Sequence, residues 1–380
     1  MPACGGSEKP TKIAKTKKKK TEKRELLAQA RDEAKAGEIE AADELYEKAY
    51  AVDKELEILE EHIDFLLNAG KPTRAAEVAK VYYDGNATDL AGYRLYTAAL
   101  LAGNKGAEAL EVADQMIGID DEDPYGHERR GRALLLLEKD QEAIQSLRRA
   151  VQLDPKNAVF HKSLGTALHK IGEVNEAALE FRAALKFADE DAEAHVLLGM
   201  ALRDQNELDE SRQFLEKALD LDPRNGRAFF ELGLLLNRQG KQAEAEDALA
   251  KAVKYQPNES LYWYAYGEIY RLQQRFDEAL NAYQKAVELD PPYPKAIGKL
   301  GLLLVQLKKY DDAEAFLIQG IRKDKTNAVN YLHLGSVYAA KRKYKLAIEN
   351  FEEFLERAPR NDPDRDRARD AIRELKRKGG

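Results

Sequence analysis

The sequence predicts an all-α chain, a solenoid of about ten stacked helix pairs with a capping helix at its C-terminal end. Three observations predict it. Glycines recur every 34 residues, the apolar residues of each repeat follow a helical period with no strand pattern, and 34% of the residues are charged. A helix pair of this length cannot bury its apolar face alone, so the repeats must stack on one another.

The clearest repeat marker is a glycine that returns seven times at a spacing of 34 residues. The seven are Gly131, Gly165, Gly199, Gly233, Gly267, Gly301 and Gly335. Each lies inside an apolar helical pattern, where glycine costs roughly 0.5–1 kcal/mol relative to alanine. We therefore expect a second helix to approach closely at each of these glycines.

Other positions share the period and complete two helices per repeat. Large residues stand four before and three after each glycine, as Trp263 and Tyr270 do around Gly267. After a polar break come a small residue and then a large one, such as Ala279 and Tyr283. Large and small residues spaced in this way form one face of a helix, so each repeat is predicted to be an antiparallel pair of helices of about 12–14 residues.

This pattern resembles that of the tetratricopeptide repeat family, whose motif W-x2-L-G-x2-Y…A-x3-F…A…P has the same length. The best-matching repeat, residues 260–293, carries Trp263, Tyr266, Gly267, Tyr270, Ala279, Tyr283, Ala286 and Pro291. The resemblance covers seven regular repeats over residues 124–361. It implies a right-handed superhelix whose inner groove holds a partner.

The two flanks of the regular array are also predicted to be helical. Residues 23–123 hold three divergent repeats, in which Ala42, Ala75 and Ala109 keep the small position but the glycine is missing. Residues 362–380 are predicted to form a capping helix. Its apolar stripe consists of Ala368, Ala371, Ile372 and Leu375.

The sequence contains no pattern that indicates an active site, and we predict a non-catalytic protein with no metal and no cofactor. Nucleophile-elbow, dinucleotide-binding and EF-hand motifs are absent. His127, His161 and His195 recur at one core position of consecutive repeats. Neighbouring helices lie about 8–10 Å apart, whereas a nitrogen ligand lies about 2 Å from zinc, so these histidines are not expected to share an ion.

A second stripe on the first helix of each repeat is the predicted binding site. The resemblance implies that positions 5, 9 and 12 of this helix line the inner groove, where a protein or peptide segment would bind. In three consecutive repeats these positions are Val196, Met200, Arg203, Phe230, Leu234, Asn237, Tyr264, Glu268 and Arg271. The alternative is that packing between repeats buries the apolar members.

The N-terminal segment differs in charge from the rest of the chain. Residues 1–24 hold nine basic and two acidic residues, a net +7, so the remainder carries −14 of the total of −7. We predict a basic, disordered arm over residues 1–22. It has no aromatic residues to stack on bases, so contact with an anionic surface is expected rather than specific nucleic-acid binding.

Cys4 supports an alternative location and function. The stretch MPACGGS resembles the end of a bacterial lipoprotein signal, in which the cysteine is acylated, but the apolar core of such a signal is missing. As written, the sequence predicts a cytoplasmic protein. If the true start lies upstream of Met1, the protein would be a membrane-anchored assembly factor that faces the periplasm and is tethered through Cys4. A third hypothesis is a regulatory subunit of an enzyme complex.

Overall fold

The computed structural model describes residues 12–291 and 293–379, and all regular secondary structure in these ranges is helical. This confirms the predicted all-α fold of ten helix pairs and a C-terminal helix. The chain divides into two compact units, residues 1–189 and 190–380. The helices of the first unit are α1 (Lys12–Ala36), α2 (Ile39–Val52), α3 (Leu56–Asn68), α4 (Pro72–Gly85), α5 (Leu90–Ala102), α6 (Gly106–Ile119), α7 (Pro124–Leu136), α8 (Asp140–Leu153), α9 (Ala158–Lys170) and α10 (Val174–Phe187).

The second unit continues the same alternation of helices. It contains α11 (Ala192–Asp204), α12 (Leu208–Leu221), α13 (Gly226–Arg238), α14 (Gln242–Tyr255), α15 (Ser260–Leu272), α16 (Phe276–Leu289), α17 (Pro294–Gln306), α18 (Tyr310–Lys323), α19 (Ala328–Ala340), α20 (Tyr344–Arg357) and α21 (Asp364–Lys378). From α3 to α20, every first helix of a pair has 13 residues and every second helix has 14. The constant lengths keep corresponding side chains on the same face in each repeat.

The turn inside each pair has one conformation throughout. Its central residue adopts a left-handed backbone with φ between 56° and 86° in all ten pairs. These residues are Gly37, Gly70, Asn104, Glu138, Gly172, Asn206, Gly240, Gln274, Lys308 and Arg342. In one example, the Arg275 amide donates to the Tyr270 carbonyl at 2.9 Å, which is the bond that closes a Schellman motif. Because six of the ten residues are not glycine, the helix packing rather than residue preference holds this turn.

The helices approach closely at six of the seven periodic glycines. A Cβ atom built on any of the six would lie 2.5–2.8 Å from the large side chain sixteen residues later, closer than real Cβ atoms come. Gly267, for example, faces the ring of Tyr283. Gly301 is the exception, since its nearest neighbour is His333 of α19, at 3.3 Å from the built Cβ.

In two of the divergent repeats, other residues fill the interface between the paired helices. Ile63 and Thr97 stand where the glycine is expected, and both are buried. Sixteen residues later, where the regular repeats carry a large side chain, Ala79 and Ala113 are fully buried. Large and small residues have exchanged places, so each pair still fills its interior.

Both ends of the described chain are helical. Helix α1 begins at Lys12, so residues 12–22 are helical where a disordered arm was predicted. The segment after Pro10 contains no glycine or proline before Gly37, and lysine favours helix. Residues 1–11, which include Cys4, lie outside the described residues. At the other end, Ala368, Ile372 and Leu375 of α21 are buried as predicted, and Ala371 is half-buried.

None of the helices in the described ranges has both the length and the apolar character that crossing a membrane requires.

Candidate partner-binding groove

The predicted groove residues lie on α11, α13 and α15, three consecutive first helices of the second unit. The structure buries two of the apolar ones. Val196 is 0% exposed and offers no surface to a partner, whereas Phe230 is 5% exposed and offers only a small one. For these two side chains the structure favours the alternative, burial by packing between repeats, although Phe230 still lines the cavity described below.

The burial of these two side chains has a direct cause in the stacking of repeats. Val196 packs in a cluster with Ala228 and Leu235 of the next first helix. Phe230 stacks on Tyr262 of α15 with ring centroids 4.5 Å apart. The side chain at position 5 of a first helix therefore packs against the following repeat as well as facing the groove.

The remaining apolar groove residues are half-buried. Met200, Leu234 and Tyr264 keep part of their surface accessible. The Tyr264 ring meets Tyr293 edge-on at 5.4 Å, and burial raises the pKa of its hydroxyl to about 12. These three side chains supply the apolar character that remains on this face.

A cavity of about 610 Å³ opens beside this face, at the N-terminal ends of α13 and α15. Of the nine predicted residues, Met200 and Phe230 line it. The other lining residues are Glu193, Asp222, Arg224, Asn225, Arg227, Glu231, Gln256, Glu259, Leu261 and Tyr262. The volume is that of a small-ligand or side-chain pocket.

The cavity has a charged wall held by ion pairs between repeats. Glu231 pairs with Arg203, and Arg227 pairs with Glu193. Burial raises the pKa of Glu231, although the Arg203 guanidinium opposes this shift. Four acidic residues face two arginines in the lining, so the cavity favours a cation. Asp222, another of the four, accepts a hydrogen bond from the Arg224 backbone amide at 3.1 Å.

The predicted groove residues of α15 form a separate polar network. Glu268 binds Arg271 at 2.9 Å and Lys299 at 3.2 Å, and it accepts the hydroxyl of Tyr283. Asn237 of α13 is half-buried. None of Glu268, Arg271 and Asn237 lines the cavity, so the structure does not bring the nine predicted residues together in one site.

Sequence reasoning missed the charged wall, although a signal for it exists. Glu193 and Arg227 occupy the same repeat position in consecutive repeats, 34 residues apart, with opposite charges. Glu231 is a carboxylate at a position that is otherwise occupied by small or apolar residues in the adjacent repeats, Leu197 and Ala265. Comparing charges at equal repeat positions would have indicated these contacts.

Two of the three histidines at the core position interact with nearby protein oxygen atoms. His161 Nδ1 lies 2.6 Å from Glu180 Oε2, and His127 Nε2 lies 2.9 Å from the Asp121 carbonyl. Over the part of the chain that the structure describes, no group of three or more His, Cys, Asp and Glu side chains is placed to hold a metal ion.

Sequence profiles described as tetratricopeptide repeat or TPR repeat match residues 131–172, 163–226, 215–254, 230–294, 270–334 and 328–361. These matches overlap to span residues 131–361, more than half of the chain. The chain belongs to the tetratricopeptide repeat family. Proteins of this family act as protein–protein interaction scaffolds that bind protein or peptide partners, and their repeats are generally non-catalytic. No curated protein sequence matches the chain.

Solved structures with the same fold include yeast Tom70, at 13% identity and a TM-score of 0.56, with 95% of this chain and 97% of that one covered. Cut9 in the APC/C hetero-tetramer Cut9–Hcn1 matches at 16% identity and a TM-score of 0.51, covering 92% and 75% of the two chains. YrrB, described as a TPR protein with an unusual peptide-binding site, matches at 25% identity and a TM-score of 0.39 over 50% of this chain and 98% of that one. At these identities the first two similarities establish the fold alone.

Proposed function

We propose that the protein is a non-catalytic scaffold that holds a partner segment on the face formed by α11, α13 and α15. The observation that carries this proposal is the cavity of about 610 Å³, which combines an apolar floor with an acidic wall. Phe230 and Tyr262 form the floor, and Met200 lies beside them. The segment that fits inserts one apolar side chain and places a lysine or arginine against the wall.

The supporting physical argument is preorganisation. Phe230 and Tyr262 hold one another by stacking, and the pair of Arg203 with Glu231 joins α11 to α13. Side chains fixed in this way lose little conformational entropy when a partner binds. Affinity then depends on the partner's own ordering cost rather than on rearrangement of the scaffold.

The best test uses residues on the cavity that do not support the fold. Leu261 lines the cavity and is 46% exposed, whereas Leu272 on the same helix is 43% exposed and lies outside it. We expect Leu261→Asp to abolish the binding of peptides that wild type selects from a displayed random library. Leu272→Asp is the matched control and should leave that binding unchanged.

The peptides selected by wild type should carry an apolar residue next to a basic one. Circular dichroism would verify that both variants keep their helix content. Selection of the same peptides by Leu261→Asp and wild type would refute this site. Phe230→Ala is unsuitable as a test, because this buried ring also supports the packing of α13 on α15.

Salt distinguishes this proposal from contact through the basic arm. Binding that rests on apolar burial should persist at about 0.5 M salt, where the Debye length is only a few ångströms. Attachment of an anionic surface to the lysines of residues 1–24 should be lost. Tethering through Cys4 and a regulatory-subunit role stay predictions, and the mass of the mature protein tests the first.

A further inference from the structure

A second cavity, also of about 610 Å³, lies at the C-terminal end of the second unit between α19 and α21. Its floor is apolar and buried. Leu332, Phe351 and Leu375 are 6%, 4% and 6% exposed, and all three line the cavity. This site shares no lining residue with the groove of α11, α13 and α15.

The cavity exists because both of its walls lack long side chains. On α19 the lining includes Ala339 and Ala340, whereas the equivalent positions of α15 carry Arg271 and Leu272. On α21 the lining includes Ala368 and Ala371. Helix α21 packs on α20, so these small residues leave an open slot above Leu332 and Leu375 instead of a filled interface.

The rim of this cavity is basic. Arg342, Arg367 and Lys378 line it together with a single carboxylate, that of Glu374. Glu374 pairs with Lys378, and Arg367 lies 3.7 Å from Asp364 while its side chain is 69% exposed. Arg342 is exposed, and no carboxylate of the described residues lies within 4.0 Å of it. The lining therefore carries a net charge of +2, opposite in sign to the first cavity.

We propose that this cavity is a second docking site, which takes an acidic partner segment with one apolar anchor residue. The anchor lies between α19 and α21 on Leu332 and Leu375, and the flanking carboxylates meet Arg342 and Arg367. Charge complementarity favours an acidic occupant, because the lining carries a net charge of +2. The protein's own residues 1–24 carry +7, so the basic rim repels them. The proposal does not depend on the function assigned to the first cavity.

Arg367 and Arg369 provide a matched pair for the test. Both are exposed arginines of α21, but only Arg367 lines the cavity, while Arg369 binds Asp366 at 2.8 Å. The full chain is used to select from a displayed library with a fixed leucine or phenylalanine between randomised flanks. We expect wild type to enrich peptides with acidic flanks. Arg367→Glu should weaken their binding about tenfold or more, and Arg369→Glu less than about twofold.

A second variant and a mapping step keep the test decisive. Ala340→Glu adds a carboxylate at an exposed point of the rim and should also weaken the acidic peptides. A photo-crosslinker on the anchor residue should label α19 or α21. The proposal is overturned if no acidic peptides are enriched, if Arg367→Glu and Arg369→Glu act alike, or if the crosslinks fall on α11, α13 or α15. Leu261→Asp should not affect these peptides, so the two sites can fail separately.

Discussion

The pairs α15–α16 and α17–α18 carry the same repeat motif but use its glycine differently. In the first pair, Gly267 faces the Tyr283 ring of its own repeat, with a built Cβ only 2.7 Å from that ring. In the second, Gly301 faces His333 of the following repeat, and Leu317 is not among its nearest neighbours. A glycine in this family position therefore permits close approach without specifying which helix approaches.

The reason lies in a second glycine on α17. Gly298 precedes Gly301 by three residues, so both lie on one face of the helix, and a Cβ built on Gly298 would lie 3.1 Å from His333 Nε2. Two glycines form a broader groove for a side chain of α19 than one does. A cavity of about 160 Å³, lined by residues that include Ile297 and Phe316, lies beside the second pair. The contrast shows that neighbouring small residues, not the periodic glycine alone, select the contact.

The largest effect is expected at Gly267. Leucine there would overlap the fully buried Tyr283 ring, so α15 and α16 would have to separate. Overpacking of this kind costs roughly 3 kcal/mol or more, although the better helix propensity returns up to about 1 kcal/mol. Urea unfolding should show the loss. A midpoint equal to wild type would mean that the pair adapts freely.

The next effect is a pH dependence that belongs to the α17–α19 contact. Burial lowers the pKa of His333 to about 4; the Asp364 carboxylate raises it and Arg367 lowers it further. Since the unfolded chain takes up this proton near pH 6.5, stability should fall as the pH drops from about 6.5 to 4, by up to about 3 kcal/mol. Urea midpoints at pH 7 and pH 5 measure this slope.

The control for this prediction separates His333 from other titrating groups. His333→Leu should reduce the slope between pH 7 and pH 5 without removing it, because burial also lowers the pKa of His62 in the first unit. His127→Gln, at a half-buried histidine of the first unit, is the control variant. An unchanged slope in His333→Leu would assign the pH dependence to other residues.

A smaller effect is expected from Tyr283→Phe. The Tyr283 hydroxyl donates to Glu268, whose other partners are Arg271 and Lys299. Removing one hydrogen bond to a charged group should cost about 1–2 kcal/mol, while the ring keeps its contact with Gly267. Thermal unfolding measures this loss. Tyr255→Phe is the control, because the Tyr255 ring stacks on Phe229 and lies near Lys254 Nζ, while its hydroxyl has no hydrogen-bond partner among the described residues. Equal losses in both variants would contradict the role of the hydroxyl.

The smallest effect is expected from Gly301→Ala. Its Cβ would lie 3.3 Å from His333 Cβ, a tight contact that a small shift of α17 can relieve. The gain in helix propensity is about 1 kcal/mol, so the net change should stay within about 1 kcal/mol. Gly267→Ala, measured in parallel, should be the more destabilising variant. The reverse order would show that the two pairs do not differ as the structure indicates.

Much of the fold could be predicted from the sequence because it depends on local periodicity. The 34-residue spacing predicts the helix pairs, and the stripe with Ala368 and Leu375 predicts the last helix. The helical start of α1 was missed, because a run of lysines is typical of both disordered tails and exposed helices. In the repeat with α3 and α4, Ile63 stands in place of the glycine and Ala79 in place of the large residue that faces it. Comparing the repeats position by position could have revealed this exchange.

The sequence by itself determined which face of each helix points inward, since a 3.6-residue period fixes direction around a helix axis. Only the tertiary structure decided which neighbouring helix packs against that face. Val196 and Phe230 are buried because the next repeat stacks on them, and Gly301 meets His333 because Gly298 widens the same face. The distance between two repeats depends on side chains that are far apart in the chain. A periodic sequence pattern does not give that distance.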